Sequence, residues 1–169
     1  MRGLPLRWAA LSAAWLAIGA AAAQDRSLAA FGDWLLRCEQ RGSRLCEIAT
    51  PLPGPEGRTL AQVLIGRIDP RGPLLITAHL PLSVHLPAQV RVMLPDGVVS
   101  LTYQHCLQAG CFATAELDEG LLRRLRAEPQ GVRLAFQDGA RREITAPVSM
   151  SGFARAHAAL IEQTAPPRR

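Results

Sequence analysis

The residues with most chemistry to offer are four cysteines, and they fall in two local pairs: Cys38 and Cys46, then Cys106 and Cys111. Such a set can ligate zinc, cycle between thiol and disulfide, supply a nucleophile, or close structural bridges. Neither pair has the two-residue gap of a zinc-ribbon site. Neither reads as Cys-x-x-Cys within a βαβ pattern, as a redox centre would. His105 stands beside Cys106 and suggests a thiol catalyst, with Cys111 as the companion thiol. A sequence neighbour is not a spatial partner, however, and a disulfide-bonded cysteine cannot act as a nucleophile. Three disulfide pairings are possible. Local closure suits two hairpin-like turns that contain Gly42 and Gly110. In the loop-entropy picture each short bridge then contributes about 2–3 kcal/mol.

Other chemistry is thin. The histidines, His79, His85, His105 and His157, match no metal spacing; His79 and His85 are close enough in sequence to make an exposed copper or zinc site conceivable, but ordinary structural histidines are the plainer reading. Asp96, Asp118, Glu119 and Asp138 sit in turns or at helix ends and form no acid and base pair. No phosphate-cradling glycine loop and no Gly-x-Ser-x-Gly elbow occurs. Ser149-Met150-Ser151-Gly152 lacks the glycine that elbow needs, and reads instead as the cap of a final helix. Aromatic residues are 5% of the chain and the arginines are dispersed, so nucleic-acid binding is not indicated. The sequence therefore offers no catalytic residue, no metal site and no cofactor.

The chain opens on Arg2 and Arg7 with no acid, runs through an apolar stretch from Trp8 to Ile18, and reaches Ala20 to Ala23 before Gln24-Asp25-Arg26. These are the n-region, h-region and small-residue cleavage site of a secretion signal over residues 1–23. The stretch falls short of the ~20 apolar residues that span a bilayer, and no later segment is long enough, so no transmembrane segment is expected after cleavage. An oxidising compartment favours disulfides. Removing residues 1–23 takes away Arg2 and Arg7 and lowers the formal charge from +5 to +3, too little to predict a polyanionic partner. What remains has the usual size of one domain, residues 24–165, with 166–169 as a disordered tail.

Short apolar and β-branched runs alternate with turn signals from Phe31 onward, which predicts an all-β sandwich of eight or nine strands. The runs are Trp34 to Cys38, Leu45 to Thr50, Thr59 to Ile68, Leu74 to Leu80, Val90 to Leu94, Val98 to Cys106, Cys111 to Leu117, Val132 to Phe136 and Arg142 to Val148, with a short extended Leu82 to Leu86 bracketed by Pro81 and Pro87. Residues 51–57, rich in proline and glycine, read as a loop. Asp118 caps a short internal helix whose Leu121, Leu122 and Leu125 share one face. A C-terminal helix runs from about Ser151 to Gln163, with Phe153, Ala156, Leu160 and Ile161 at helical spacing.

Four motifs then stand in register: Phe31-Gly32-Asp33-Trp34-x3-Cys38; Leu80-Pro81-Leu82-Ser83-Val84-x-Leu86-Pro87-x2-Val90; Tyr103-x2-Cys106-x3-Gly110-Cys111-x-Ala113; and Pro147-Val148-Ser149-x2-Gly152-Phe153-x2-Ala156. Over residues 31–161 the chain resembles the invasion-associated locus B family of exported Gram-negative proteins. The chain departs from the family pattern at Ser83, where glycine is common, and at Ser151, where lysine is common. The resemblance implies an immunoglobulin-like β-sandwich, a periplasmic, outer-membrane-associated or secreted location, and a link in some members to host-cell invasion and virulence. It implies no catalytic residues: Trp34 is a core anchor, the cysteines are structural bridges, and Gly152 and Phe153 begin a docked terminal helix. The expected function is a non-enzymatic, disulfide-braced binding or accessory module whose partner is another envelope or host protein. The rival is a periplasmic thiol- or metal-dependent enzyme built on Cys106, Cys111 and His105.

Overall fold

A computed structural model describes residues 27–41, 43–129 and 131–165. The signal-peptide reading of residues 1–23 and the tail 166–169 lie outside the described residues. Ten antiparallel strands run as β1 (Ser27–Phe31), β2 (Trp34–Arg41), β3 (Ser43–Pro53), β4 (Thr59–Gly66), β5 (Leu75–Leu80), β6 (Val90–Leu94), β7 (Gly97–Leu107), β8 (Gly110–Glu116), β9 (Val132–Gln137) and β10 (Glu143–Val148). Helix α1 (Glu119–Arg126) follows β8, and α2 (Phe153–Thr164) closes the chain. The strand order is β1-β2-β3-β4-β5-β8-β7-β6-β9-β10.

One long strand makes this a sandwich. The first half of β7, through Leu101, pairs with β6, and the second half, from Thr102, pairs with β8. The sheet therefore turns through β7 into two layers that share it, and each layer buries the face turned toward the other. Alternation along the strands decides which face that is. In β6, Val90, Val92 and Leu94 are buried, while in β5 it is Ile76, Ala78 and Leu80. Trp34, Val63, Ile65 and Ile76 from one layer meet Val92, Val132 and Val148 from the other around a residual cavity of only about 10 Å³, room for one water molecule at most.

The helices close the ends. Leu121, Leu122 and Leu125 of α1 are buried, and the Asp118 carboxylate accepts from the Leu121 backbone N–H at 2.7 Å. Asp118→Ala therefore lowers stability by about 1 kcal/mol, while Asp118→Asn loses a few tenths at most; thermal unfolding of the two variants checks this. Helix α2 buries Phe153, Ala156 and Leu160 against the inner sides of β1, β2 and β3.

Three details differ from the sequence reading. Strand β1 lies upstream of every predicted strand; its Leu-Ala-Ala core has weak β propensity, and its place comes from the tight turn at Gly32 that folds it onto β2. Residues 51–53 belong to β3 rather than to the predicted loop. Strand β2 pairs with β3 only as far as Ala49, so Pro51 and Pro53 lie on a locally free edge where no neighbour needs their missing N–H. Only residues 55–57 turn, as a short 3-10 segment. The stretch Leu82 to Leu86 makes a single bridge, Val84 to Asp138, between β5 and β6.

Candidate functional site

All four cysteines are in disulfides. Cys38 faces Cys46 across β2 and β3 (S–S 2.08 Å), and Cys106 faces Cys111 across β7 and β8 (S–S 2.03 Å), each pair directly opposite in register. No described cysteine is free. The rival catalytic set thus holds no thiol in this state. His105 points away from the disulfide, with its ring 5.1 Å from that of Phe112.

The position of His105 has a backbone cause. Between Tyr103 and His105 the register of β7 against β8 slips by one residue, leaving Gln104 as the extra residue of a β-bulge. Leu101 and Tyr103 pack inward. Strict alternation would send position 105 inward too. The bulge instead turns His105 to the outer face, where it joins Phe112 and His79, the latter stacked on Phe112 at 4.4 Å with planes 7° apart. Three adjacent strands, β5, β8 and β7, so present a row of rings. His79 is fixed in turn: its Nε2 donates to the Ala109 carbonyl (2.9 Å), and Gly110 packs so closely that a Cβ there would lie 2.3 Å from the Leu80 carbonyl oxygen.

Beside the rings runs a second row. Ala49, Leu64, Thr77, Thr114 and Thr102 are successive cross-strand partners over β3, β4, β5, β8 and β7. On the far side stand Glu47, Gly66 and Leu75, again partners in register, with Arg67 and Ile68 beyond them. The short Thr77 and Thr114 side chains in the middle, with His105 and Phe112 on one side and Leu75, Arg67 and Ile68 on the other, make a groove of about 490 Å³ crossing the strands. Arg37 pairs with Glu47, and Arg67 donates to the Gly72 carbonyl.

Sequence reasoning singled out His105 only as a neighbour of Cys106, and missed Phe112, Thr77, Thr114 and Gln104. A signal was present. Tyr103 and Cys106 are three apart while their partners Ala113 and Cys111 are two apart, and that mismatch requires one inserted residue. His85 lies in the β5–β6 connection and His157 in α2, so the four histidines do not converge. Among the described residues no three of His, Cys, Asp or Glu are placed to hold a metal.

The predicted anchors meet at the other end of the large layer, the one that runs β1-β2-β3-β4-β5-β8-β7. Trp34 is 1% exposed, its ring lies 5.1 Å from that of Phe153, and its Nε1 donates to the Ser149 carbonyl at 2.9 Å. The Ser149 hydroxyl donates to Asp33 (2.6 Å), and the Asp33 N–H donates to the Ser151 carbonyl (3.1 Å). Gly32 and Gly152, both with positive φ, let the β1–β2 turn and the entry to α2 pack backbone against backbone. The serines do not cap α2 with their side chains: Gly152 is its N-cap and Ser149 is spent on Asp33. The first and last sequence motifs are thus the two halves of one clasp.

A family model described as Invasion associated locus B (IalB) protein matches residues 34–161. The chain belongs to the invasion-associated locus B family. The crystal structure of invasion associated protein b from Bartonella henselae is similar to it with a TM-score of 0.66 and 22% identity, over 80% of this chain and 95% of that one. At that identity the likeness is one of fold. No curated protein matches the chain. Like the sequence reading, the structure is an all-β sandwich with a short internal helix and a C-terminal helix, and no helix among the described residues is long and apolar enough to cross a membrane.

One buried titratable group in this member of the family lies away from the groove. His157 is 4% exposed; its Nδ1 accepts from Arg126 of α1 at 2.9 Å, and its Nε2 is buried without a partner. Burial, then the Arg126 charge, hold its pKa below the ordinary histidine value, with Glu119 pulling weakly the other way. The unfolded chain binds this proton more readily than the folded one, so stability is fully present above pH ~6.5 and is lost as the pH falls below it. Melting temperature accordingly drops between pH 7 and pH 5, and His157→Gln, which keeps an acceptor for Arg126, flattens that drop. An unchanged slope in the variant would assign the pH dependence to other groups.

Proposed function

We propose that this member of the family is an exported, non-enzymatic binding module of the cell envelope, braced by its two disulfides, and that its contact surface is the outer-face groove of the large layer. The observation that carries the reading is the groove itself: a bulge spends a residue to bring His105 out beside Phe112, on strands whose inner faces are locked in the core. Export is supported by the leader pattern of residues 1–23 and by disulfides, which persist in oxidising compartments. The partner belongs to the envelope or to a host surface; the family's name suggests the second.

A photocrosslinker placed at position 68 or 105 in intact cells traps a discrete partner, while one at Arg155, exposed on α2, does not. Repeated recovery of only the free monomer from both groove positions overturns the reading. A role at a host surface has its own signature: a deletion strain loses host-cell attachment, and the wild-type chain restores it where a groove variant does not.

A further inference from the structure

We infer that the groove binds the pyranose rings of an oligosaccharide, an assignment that rests on the binding-module reading and names its ligand class. The lining divides into two kinds of surface that sugars also carry. His105 and Phe112 offer aromatic ring surface, and Leu75 and Ile68 offer aliphatic surface, Ile68 being 74% exposed, while the largely buried Leu64 forms part of the floor. Sugar rings have C–H faces that pack on such surfaces, and the electron-rich face of an aromatic ring attracts their slightly positive hydrogens. Between these walls the hydroxyls of Thr77 and Thr114 stand opposite each other with no hydrogen-bond partner among the described residues. The ring nitrogens of His105 are likewise unengaged there, and Gln104 uses only its amide N–H, on the Thr102 carbonyl. The groove thus presents neutral donors and acceptors, unspent, beside apolar ring surface.

Competing ligand classes fit less well. A hydrocarbon chain would cover the two threonine hydroxyls and the glutamine oxygen without pairing them, which is costly for buried polar groups. A polyanion meets the Glu47 carboxylate on the wall, where Arg37 is already paired with it and Arg67 has one N–H on the Gly72 carbonyl, so the lining carries no cluster of cations. A protein strand adds to a sheet along an edge, where backbone groups are free, whereas this groove crosses the middle of a sheet whose ladder bonds are made. Neutral hydroxyls on a rigid ring meet the groove without stranding a charge or a backbone amide. The direction also suits a chain: the groove crosses β3, β4, β5 and β8, and strands spaced ~4.8 Å apart step at a distance comparable to the repeat of a linear pyranose chain. Its volume of about 490 Å³ falls within the usual range for small-molecule sites.

The test is calorimetric titration of the purified, unreduced protein with chitotetraose, cellotetraose and maltotetraose. At least one is expected to bind. His105→Ala and the isosteric Thr114→Val each weaken that binding about tenfold, the size of one lost ring contact or hydrogen bond, and Arg155→Ala leaves it unchanged. Position 105 is exposed and Thr114→Val keeps its shape, so both variants are expected to melt as cooperatively as the wild type. Binding of none of the three sugars, or equal affinity in the wild type and both variants, overturns the assignment. Lauric acid binding the groove more tightly in Thr114→Val than in the wild type would instead mark an acyl-chain site. If position 105 crosslinks an unglycosylated protein while no sugar binds, the glycan assignment falls and the binding-module reading stands; if neither occurs, both fall.

Discussion

Gly152→Ala is expected to cost about 3–5 kcal/mol, a large share of the roughly 5–15 kcal/mol that holds a typical domain folded. Two effects add. Gly152 has φ +83°, a conformation that L residues with a Cβ adopt only at a cost of about 1–2 kcal/mol. A Cβ built there would also lie 1.8 Å from the Phe31 carbonyl oxygen and 2.4 Å from its carbon. Those are backbone atoms of the β1–β2 turn, so no side chain can swing aside, and relief requires the clasp to open. Gly57→Ala is the matched control. Its φ of +73° is similar, but nothing lies within 4 Å of the new carbon, so only the conformational cost of about 1 kcal/mol remains. Urea unfolding of the two variants separates close approach from backbone strain. Equal, mild losses would show that the clasp has more room than the structure gives it.

Trp34→Ala is expected to lose a further 3–5 kcal/mol or so, the range for deleting a large buried aromatic side chain. The ring fills the space between the layers, meets Phe153 at 5.1 Å, and its indole N–H closes on the Ser149 carbonyl. Trp34→Phe keeps most of the apolar contact and removes the donor. It should cost about 1–3 kcal/mol, mainly for the unpaired Ser149 carbonyl. Denaturant titration of the pair apportions packing and hydrogen bonding, and a Phe variant as damaged as the Ala variant would make the hydrogen bond the larger part.

Much of this architecture is legible in the sequence because the inner faces follow the two-residue period. Val90, Val92 and Leu94 in β6 mark their buried side by alternation, and Val132, Leu134 and Phe136 in β9 do the same although Ala135 between them is buried as well. Helix α1 is similarly plain, with Asp118 at its start and three leucines on one face. What escapes the sequence depends on neighbours. Pro51 and Pro53 break a strand when another strand pairs on each side and are tolerated when one side is open, and which holds is set by where β2 begins. The groove is less visible still. Thr77 and Thr114 acquire meaning only as register partners, and His105 changes face through one inserted residue that composition cannot show. Ser149 and Asp33 belong to motifs at opposite ends of the domain, and their hydrogen bond appears only once the chain is folded.

The disulfides decide between the two classes of function. If the cysteines brace the sandwich, activity resides on the surface they hold; if they are thiols, Cys106 and Cys111 beside His105 regain a chemical role. Counting free thiols in protein isolated from the envelope, unfolded without reductant, tests this most directly. No free thiol per chain is expected; two or more would return Cys106 and Cys111 to thiol chemistry.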